Sequence, residues 1–216
     1  VAQRRGRARG ESRRAEILDA ALRIFLRSGY KGATIDLVVS EANASKATVY
    51  SYFGGKEGLF ISILEERTEH VLSDLFAQDM IDPHAIGAAD VPGVLEQIAR
   101  RLLTASLAPE ALGIYRLVLS EGRHFPEVAR TFYRLGPDRA RRRLARILTT
   151  WREHGWIVVD DPDRTARHFL TIALGDLHLR GVAGLLPDDL DAAIDDHVKE
   201  ALAFFWTIVG WTPPPA

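Results

Sequence analysis

The 216-residue sequence predicts an all-α protein, an N-terminal three-helix head followed by a helical body, on three observations. Apolar residues recur at intervals of three and four along most of the chain, the period of a helix buried on one side. Pro109, Pro126, Pro137, Pro162 and Pro187 each stand near the start of such a segment, where a missing amide proton costs little. Two-residue alternation is confined to a short WIVVD at 156–160, between helical segments and without a pairing partner.

Composition narrows the function classes. A hydrophobic content of 47% with 26% charged residues is ordinary for a globular chain able to bury a core. The absence of cysteine excludes a disulfide scaffold, a thiolate metal site and a catalytic thiol, and fits a reducing compartment. The longest apolar runs, such as 201–206, fall far short of the ~20 residues that span a bilayer. The N-terminus has no apolar leader core, so the expected location is the cytoplasm, with no membrane partner. A formal net charge of −1 conceals an asymmetry. Residues 1–56 carry 11 Lys/Arg against 5 Asp/Glu, and the remainder 17 against 24. A basic head on an acidic body suits a chain that meets a polyanion with one end.

The elements follow in order. Residues 1–10, with Arg4, Arg5, Arg7 and Arg9, have almost nothing to bury and read as a flexible cationic arm able to order along phosphates. Ser12 caps a first helix to about Ser28, with Ile17, Ala20, Ala21, Ile24 and Phe25 inward and Gly29 as its stop. Thr34 caps a second, on which Ile35, Val38, Val39 and Ala42 share one face. Asn43 stands where the chain must turn sharply, since Asn tolerates the left-handed conformation, and Ala44 fills the corner. Ser45 caps a third helix over 46–53. Val49 and Phe53 point inward, while Lys46, Ala47, Thr48, Tyr50, Ser51 and Tyr52 point out. That outward face has a cation, hydroxyls and phenols but no acid, which is unusual for a helix that is merely solvated.

Gly54-Gly55 feeds a long helix from Lys56 to about Asp79, with Phe60, Leu64, Arg67, Val71 and Leu75 near one face and Ile63 beside them. Residues 81–93, with two Pro and two Gly, read as a loop. Body helices are predicted at 94–107, 109–122, 126–135 with a continuation in 137–154, 162–185 and 188–210. The last two are apolar on more than one face: Phe169, Ala173 and Leu177 with Ile172, Leu179 and Val182 around them, then Leu202 and Phe205 opposite Phe204, Trp206 and Ile208. A helix apolar nearly all round must be buried nearly all round. A second subunit is the expected cover, and Phe169, Ala173, Leu177, Leu202, Phe205 and Trp206 are its expected contacts.

Other chemistry finds no foothold. The seven His lack ligand spacing, His168 and His178 being ten apart, and nucleotide-loop, dinucleotide and nucleophile-elbow patterns are missing. No enzyme activity, metal or cofactor is expected.

The stretch Thr34, Ser45-Lys46-Ala47-Thr48-Val49-Tyr50, Tyr52-Phe53 and Lys56-Glu57-Gly58-Leu59-Phe60 closely resembles the helix-turn-helix signature of the TetR family of bacterial transcriptional regulators. It departs by having Asn43 and Ala47 where the family often has Gly, and Tyr52 where it often has His. SEGRHFPEVARTFYRLGP and GDLHLRG resemble a C-terminal type recurring in that family. The resemblance implies a DNA-binding domain over 11–56 and an effector-binding and dimerisation domain over 57–216. The implied function is a homodimeric repressor, released from a palindromic operator on double-stranded DNA by a small molecule.

By the same resemblance Lys46, Ala47, Thr48 and Ser51 would read base edges, Tyr50 would read or hold, and Thr34, Ser45, Tyr52 and Lys56 would hold phosphates. Phe60, Leu64, Tyr115, His124, Phe132, Tyr133 and Trp151 are the candidate effector lining. Alternatives are an activator or effector-independent regulator of the same fold, a helical ligand-binding protein that has lost DNA binding, and an architectural DNA-binding protein.

Overall fold

Every regular element among the described residues is helical. The computed structural model describes residues 2–209, apart from the side chains of 2–9, 79 and 208. In order these are α1 (Ala2–Gly32), α2 (Ile35–Glu41), α3 (Lys46–Phe53), α4 (Lys56–Leu75), the single turn α5 (Gln78–Ile81), a 3-10 turn (Ala88–Asp90), α6 (Val91–Leu107), α7 (Pro109–Glu121), α8 (Pro126–Leu135), α9 (Pro137–Glu153), α10 (Pro162–Ala183) and α11 (Leu190–Val209). Four of the five signalled prolines are the first residue of a helix, and Pro187 precedes α11 by three residues.

Two compact units result, one from residues up to Thr68 with Gly113–Leu135, the other from Glu69–Leu112 with Gly136 onward. The division between these units falls within α4, and α7 from Gly113 and all of α8 belong to the first unit.

The first unit closes over one core. Ile17, Leu18, Ile24 and Phe25 of α1 meet Val38, Val49, Phe53, Leu59, Phe60, Ile63 and Leu64, and Ile114, Leu117, Val118, Val128 and Leu135 of α7 and α8 complete it. Each such side chain contributes on the order of 1.5–3 kcal/mol, an upper estimate because the unfolded chain already buries part of this surface. Tyr30 lies in a ring cluster, its centroid 5.7 Å from Phe25, 5.4 Å from Phe60 and 5.1 Å from Phe125. Burial, then the nearby Glu57 and Glu127 carboxylates, pushes its phenol pKa up.

The second unit centres on Leu75, Phe76, Leu95, Ile98, Leu103, Leu144, Trp151, Phe169 and Val198. Its α10 breaks at Gly175 (φ 43°, ψ −148°), where the His197 ring of α11 takes the space of a side chain and its Nε2 lies 3.1 Å from the Ala173 carbonyl oxygen.

Three sequence expectations shift. Helix α1 starts at Ala2, not Ser12, so the stretch expected as a flexible arm carries helical backbone; its Ala, Gln and Arg residues are good helix formers, and its two glycines do not stop it. The side chains of Arg4, Arg5, Arg7 and Arg9 lie outside the described residues. Gly29 does break α1, at φ 69° and ψ 170°, but one further turn follows it to Gly32. Helix α4 ends at Leu75 rather than Asp79. In keeping with its lack of a pairing partner, the 156–160 stretch forms no strand; it joins α9 to α10 with Val158 85% exposed.

Candidate nucleic-acid interface

Local chemistry builds the α2–α3 pair. The Thr34 hydroxyl accepts from the Leu37 amide at 3.3 Å, and the Ser45 hydroxyl accepts from the Thr48 amide at 3.0 Å. Each cap satisfies an amide proton that has no partner inside its helix. Between them Asn43 takes φ 48°, the one left-handed non-glycine among the described residues. The turn is held from behind, because the Arg13 guanidinium of α1 donates to the Asn43 carbonyl oxygen and pairs with Glu16 at 2.7 Å. Glu41 at the end of α2 is tied to α1 by Arg23 at 3.0 Å and Arg27 at 3.5 Å; the hydrogen bond from Arg23 above all lowers its pKa. Gly54 ends α3 in the left-handed region at φ 73°, its amide donating to the Tyr50 carbonyl at 2.9 Å.

Val49 is fully buried and Phe53 nearly so, which fixes the rotation of α3. Lys46, Ala47, Tyr50, Ser51 and Tyr52 are exposed and Thr48 is half-buried, so the predicted outward face is brought together on one helix. Thr34 and Ser45 are exposed at the two helix starts. The Tyr52 hydroxyl lies 3.6 Å from where a side chain on Gly10 would begin, and Arg14 sits 5.4 Å over the Phe53 ring.

Two residues behave differently from the sequence reading. Lys56, expected at a phosphate, turns inward: its ammonium donates to the Tyr30 carbonyl at 2.9 Å and lies 4.7 Å over the Tyr30 ring, capping the last turn of α1. Lys46 is not alone, because Asp36 of α2 meets it with 2.6 Å between Oδ1 and Nζ. Hydrogen bonding to Asp36, and then its charge, raises the Lys46 pKa. The acid missing from α3 is supplied by its neighbour, ten residues earlier. Asp36 lies outside the sequence-predicted set, because its meeting with Lys46 depends on how α2 and α3 are angled against each other.

The effector candidates separate. Phe60 and Leu64 are buried in the first unit's core, Phe132 packs against that core, and Tyr115 meets Phe132 edge-on at 5.8 Å. His124 and Tyr133 are exposed. Trp151 belongs to the core of the second unit, where it is fully buried and its indole N–H has no hydrogen-bond acceptor among the described residues.

Most of the expected dimer contacts are covered within the chain itself. Phe169, Ala173, Leu177, Leu202 and Phe205 are 9% exposed or less within the single chain, with Phe169 and Phe205 edge-on at 5.1 Å, so they have almost no surface left for a second copy. Trp206 is half-buried, and among the described large apolar side chains of α10 and α11, Leu179 at 63% and Phe204 at 59% are exposed. Among the described residues no single helix is long and apolar enough to cross a membrane.

Comparison with known proteins bears on both parts of the chain. Residues 17–63 match the model of the N-terminal domain of "bacterial regulatory proteins, tetR family", and residues 93–208 match that of the "AefR-like transcriptional repressor, C-terminal domain". The HTH-type transcriptional repressor SCO4008 of Streptomyces coelicolor is 36% identical over 116 residues, 53% of this chain and 52% of that protein, so the match spans about half its length. The HTH-type transcriptional regulator BetI of Burkholderia mallei is 29% identical over 203 residues, 89% of this chain and 95% of that protein. The solved structure of the flavonoid-responsive regulator FrrA superposes with a TM-score of 0.75 at 31% identity, covering 92% of this chain and 97% of that one.

Proposed function

This chain belongs to the TetR family of bacterial transcriptional regulators, with an AefR-like C-terminal domain, and from that premise we propose that it is a dimeric repressor released from a palindromic operator by a small molecule. The family is one of helix-turn-helix DNA-binding regulators rather than enzymes. The observation that carries the proposal is α3 itself, capped at both ends, fixed in rotation by Val49 and Phe53, and presenting Lys46, Ala47, Tyr50 and Ser51 outward. A helix so placed enters a major groove with its first residues at base edges, while Thr34, Ser45 and Tyr52 hold phosphates and carry no sequence information.

The two-fold partner is a second copy joined through the open side of α10 and α11, where Leu179 and Phe204 are exposed and Val182 and Trp206 half-buried. Two heads related by a two-fold axis require an inverted repeat with half-site centres about 10 bp or a multiple apart. The site of action is the cytoplasm, where the operator lies.

Repression supports itself on the name of SCO4008, and effector control on that of FrrA. An apolar or aromatic effector carrying a carbonyl or hydroxyl suits the second unit, since it would give the buried Trp151 N–H its missing acceptor. Such an effector must bind the released state more tightly than the DNA-competent one, and operator DNA must weaken it by the same factor. Selection of bound duplexes from a random pool, followed by titration of candidate effectors with and without saturating operator, tests both halves. Selected sequences without an inverted repeat refute the palindromic reading. An effector affinity unchanged by operator refutes release.

A further inference from the structure

The reading lysine at the head of α3 is held by an acid that no sequence pattern placed there. Lys46 is the first residue of α3 and Asp36 lies in the first turn of α2. Their charged atoms are 2.6 Å apart although both side chains are mostly exposed, 60% and 69%. Free on the surface, a lysine is a rotamer-rich point charge that settles on whichever phosphate is near. Paired, it differs in two ways. Its net charge is cancelled, so it gains little from a phosphate, whose attraction works through counterion release. Its ammonium is also biased toward one position by the contact with Asp36, with hydrogens still free to donate to guanine O6 or N7.

We propose that Asp36 is a positioning residue for sequence reading: it holds Lys46 over the first turn of α3 as a donor to a base edge and keeps it from acting as a phosphate clamp. The inference rests on the proposal that α3 reads operator DNA. A simpler role for Asp36 exists, because an acid in the first turn of α2 complements the helix dipole. A second simple role is repulsion of DNA by a carboxylate near the interface. Neither involves Lys46, and this separates them by experiment.

The full-length protein is used, with operators selected from a random duplex pool and binding measured across a salt series. Replacing Asp36→Asn is expected to leave the fold intact and to reduce preference at one base pair per half-site by about tenfold. It is also expected to steepen the dependence of log K on log salt by about 0.9 per head, as the freed Lys46 takes a phosphate. Lys46→Gln is expected to lose preference at the same base pair, and adding Asp36→Asn to it is expected to change that preference no further. The proposal is overturned if Asp36→Asn strengthens binding to all duplexes alike with preference unchanged, because Asp36 is then a repelling charge only. It is equally overturned if Asp36→Asn shifts preference by the same factor with and without Lys46, because Asp36 then reads a base of its own. If the native protein selects no sequence at all, the DNA-reading proposal fails first, and that failure is visible before any substitution is made.

Discussion

Gly29 and Gly54 share almost the same φ, yet replacing them with alanine should have different consequences. Gly29 sits at φ 69°, ψ 170° and Gly54 at φ 73°, ψ −7°. The first pair of angles lies in a region open essentially to glycine alone, where another residue costs about 1–3 kcal/mol; the second is left-handed helical, at about 1–2 kcal/mol. Neighbours widen the gap. A Cβ on Gly29 would stand 2.8 Å from Glu121 Oε1, the atom that accepts from the Lys31 amide at 3.4 Å, whereas a Cβ on Gly54 meets nothing within 4 Å.

Moving the carboxylate away leaves that amide without its acceptor, at about 1 kcal/mol. Both variants recover about 0.4–1 kcal/mol from a less flexible unfolded chain. Gly29→Ala should therefore destabilise by about 1–3.5 kcal/mol net and Gly54→Ala by about 1.5 kcal/mol or less. At roughly 2–4 °C per kcal/mol for a chain of this size, a 2 kcal/mol loss lowers Tm by about 4–8 °C. Urea denaturation followed by circular dichroism gives both numbers. In a Glu121→Ala background the cost of Gly29→Ala should shrink by the carboxylate's share, a coupling read from the double-mutant cycle. Equal costs for the two glycine variants would show that ψ and the Glu121 carboxylate do not set the difference, and a cost of Gly29→Ala unchanged in the Glu121→Ala background would remove the carboxylate's part.

Three further outcomes are expected. Phe204→Glu should keep the fold and give a monomer with weakened operator binding, whereas Leu202→Glu should unfold or aggregate because Leu202 lies in the chain's own core; sedimentation and near-UV spectra separate them, and a native monomer at micromolar concentration would refute the interface. Lys56→Ala should lower stability by about 1–2 kcal/mol through the lost cap and ring contact, yet leave the salt dependence of DNA binding unaltered; a shallower slope would return Lys56 to the phosphates. His178 is buried, and desolvation holds its pKa below the ordinary 6.5, so the unfolded chain binds a proton there that the folded one resists. Its contribution to stability is present above about pH 6.5 and falls as pH drops through and below it. Urea midpoints from pH 7.5 to 5.5 should therefore fall less in His178→Gln than in the native chain, and parallel curves would contradict the assignment.

What the sequence made legible is what local chemistry determines. The caps at Thr34 and Ser45, the left-handed Asn43 and the inward Val49 and Phe53 are each decided within a few residues, and each stands in the structure as read. The prolines marked helix starts for the same reason. Long-range choices were hidden. Periodicity shows that α10 and α11 have two apolar faces but not which one the chain itself covers, and five of the six named contacts, all but Trp206, lie in the chain's own core. Lys56 looks outward as a lysine after Gly-Gly; only the arrival of Tyr30 from α1 turns it in. The pairing of Asp36 with Lys46 needs the angle between two helices, which no one-dimensional pattern contains.

The head is not a detachable cassette. Its core is completed by Ile114, Leu117, Val118, Val128 and Leu135, drawn from a stretch that begins 45 residues after Thr68. At about 2 kcal/mol apiece these five side chains represent on the order of 10 kcal/mol as an upper bound, comparable to the entire stability of an ordinary domain. A fragment cut at 68 would expose the surfaces they cover. A recombination that exchanged only the first third of the gene would separate side chains that pack in one core. If α3 reads the operator as proposed, point substitution on its outward side alters specificity without disturbing this shared core, whereas transplanting a foreign head disturbs it. Changes that drift into α7 or α8 are inherited, in effect, as changes to the head.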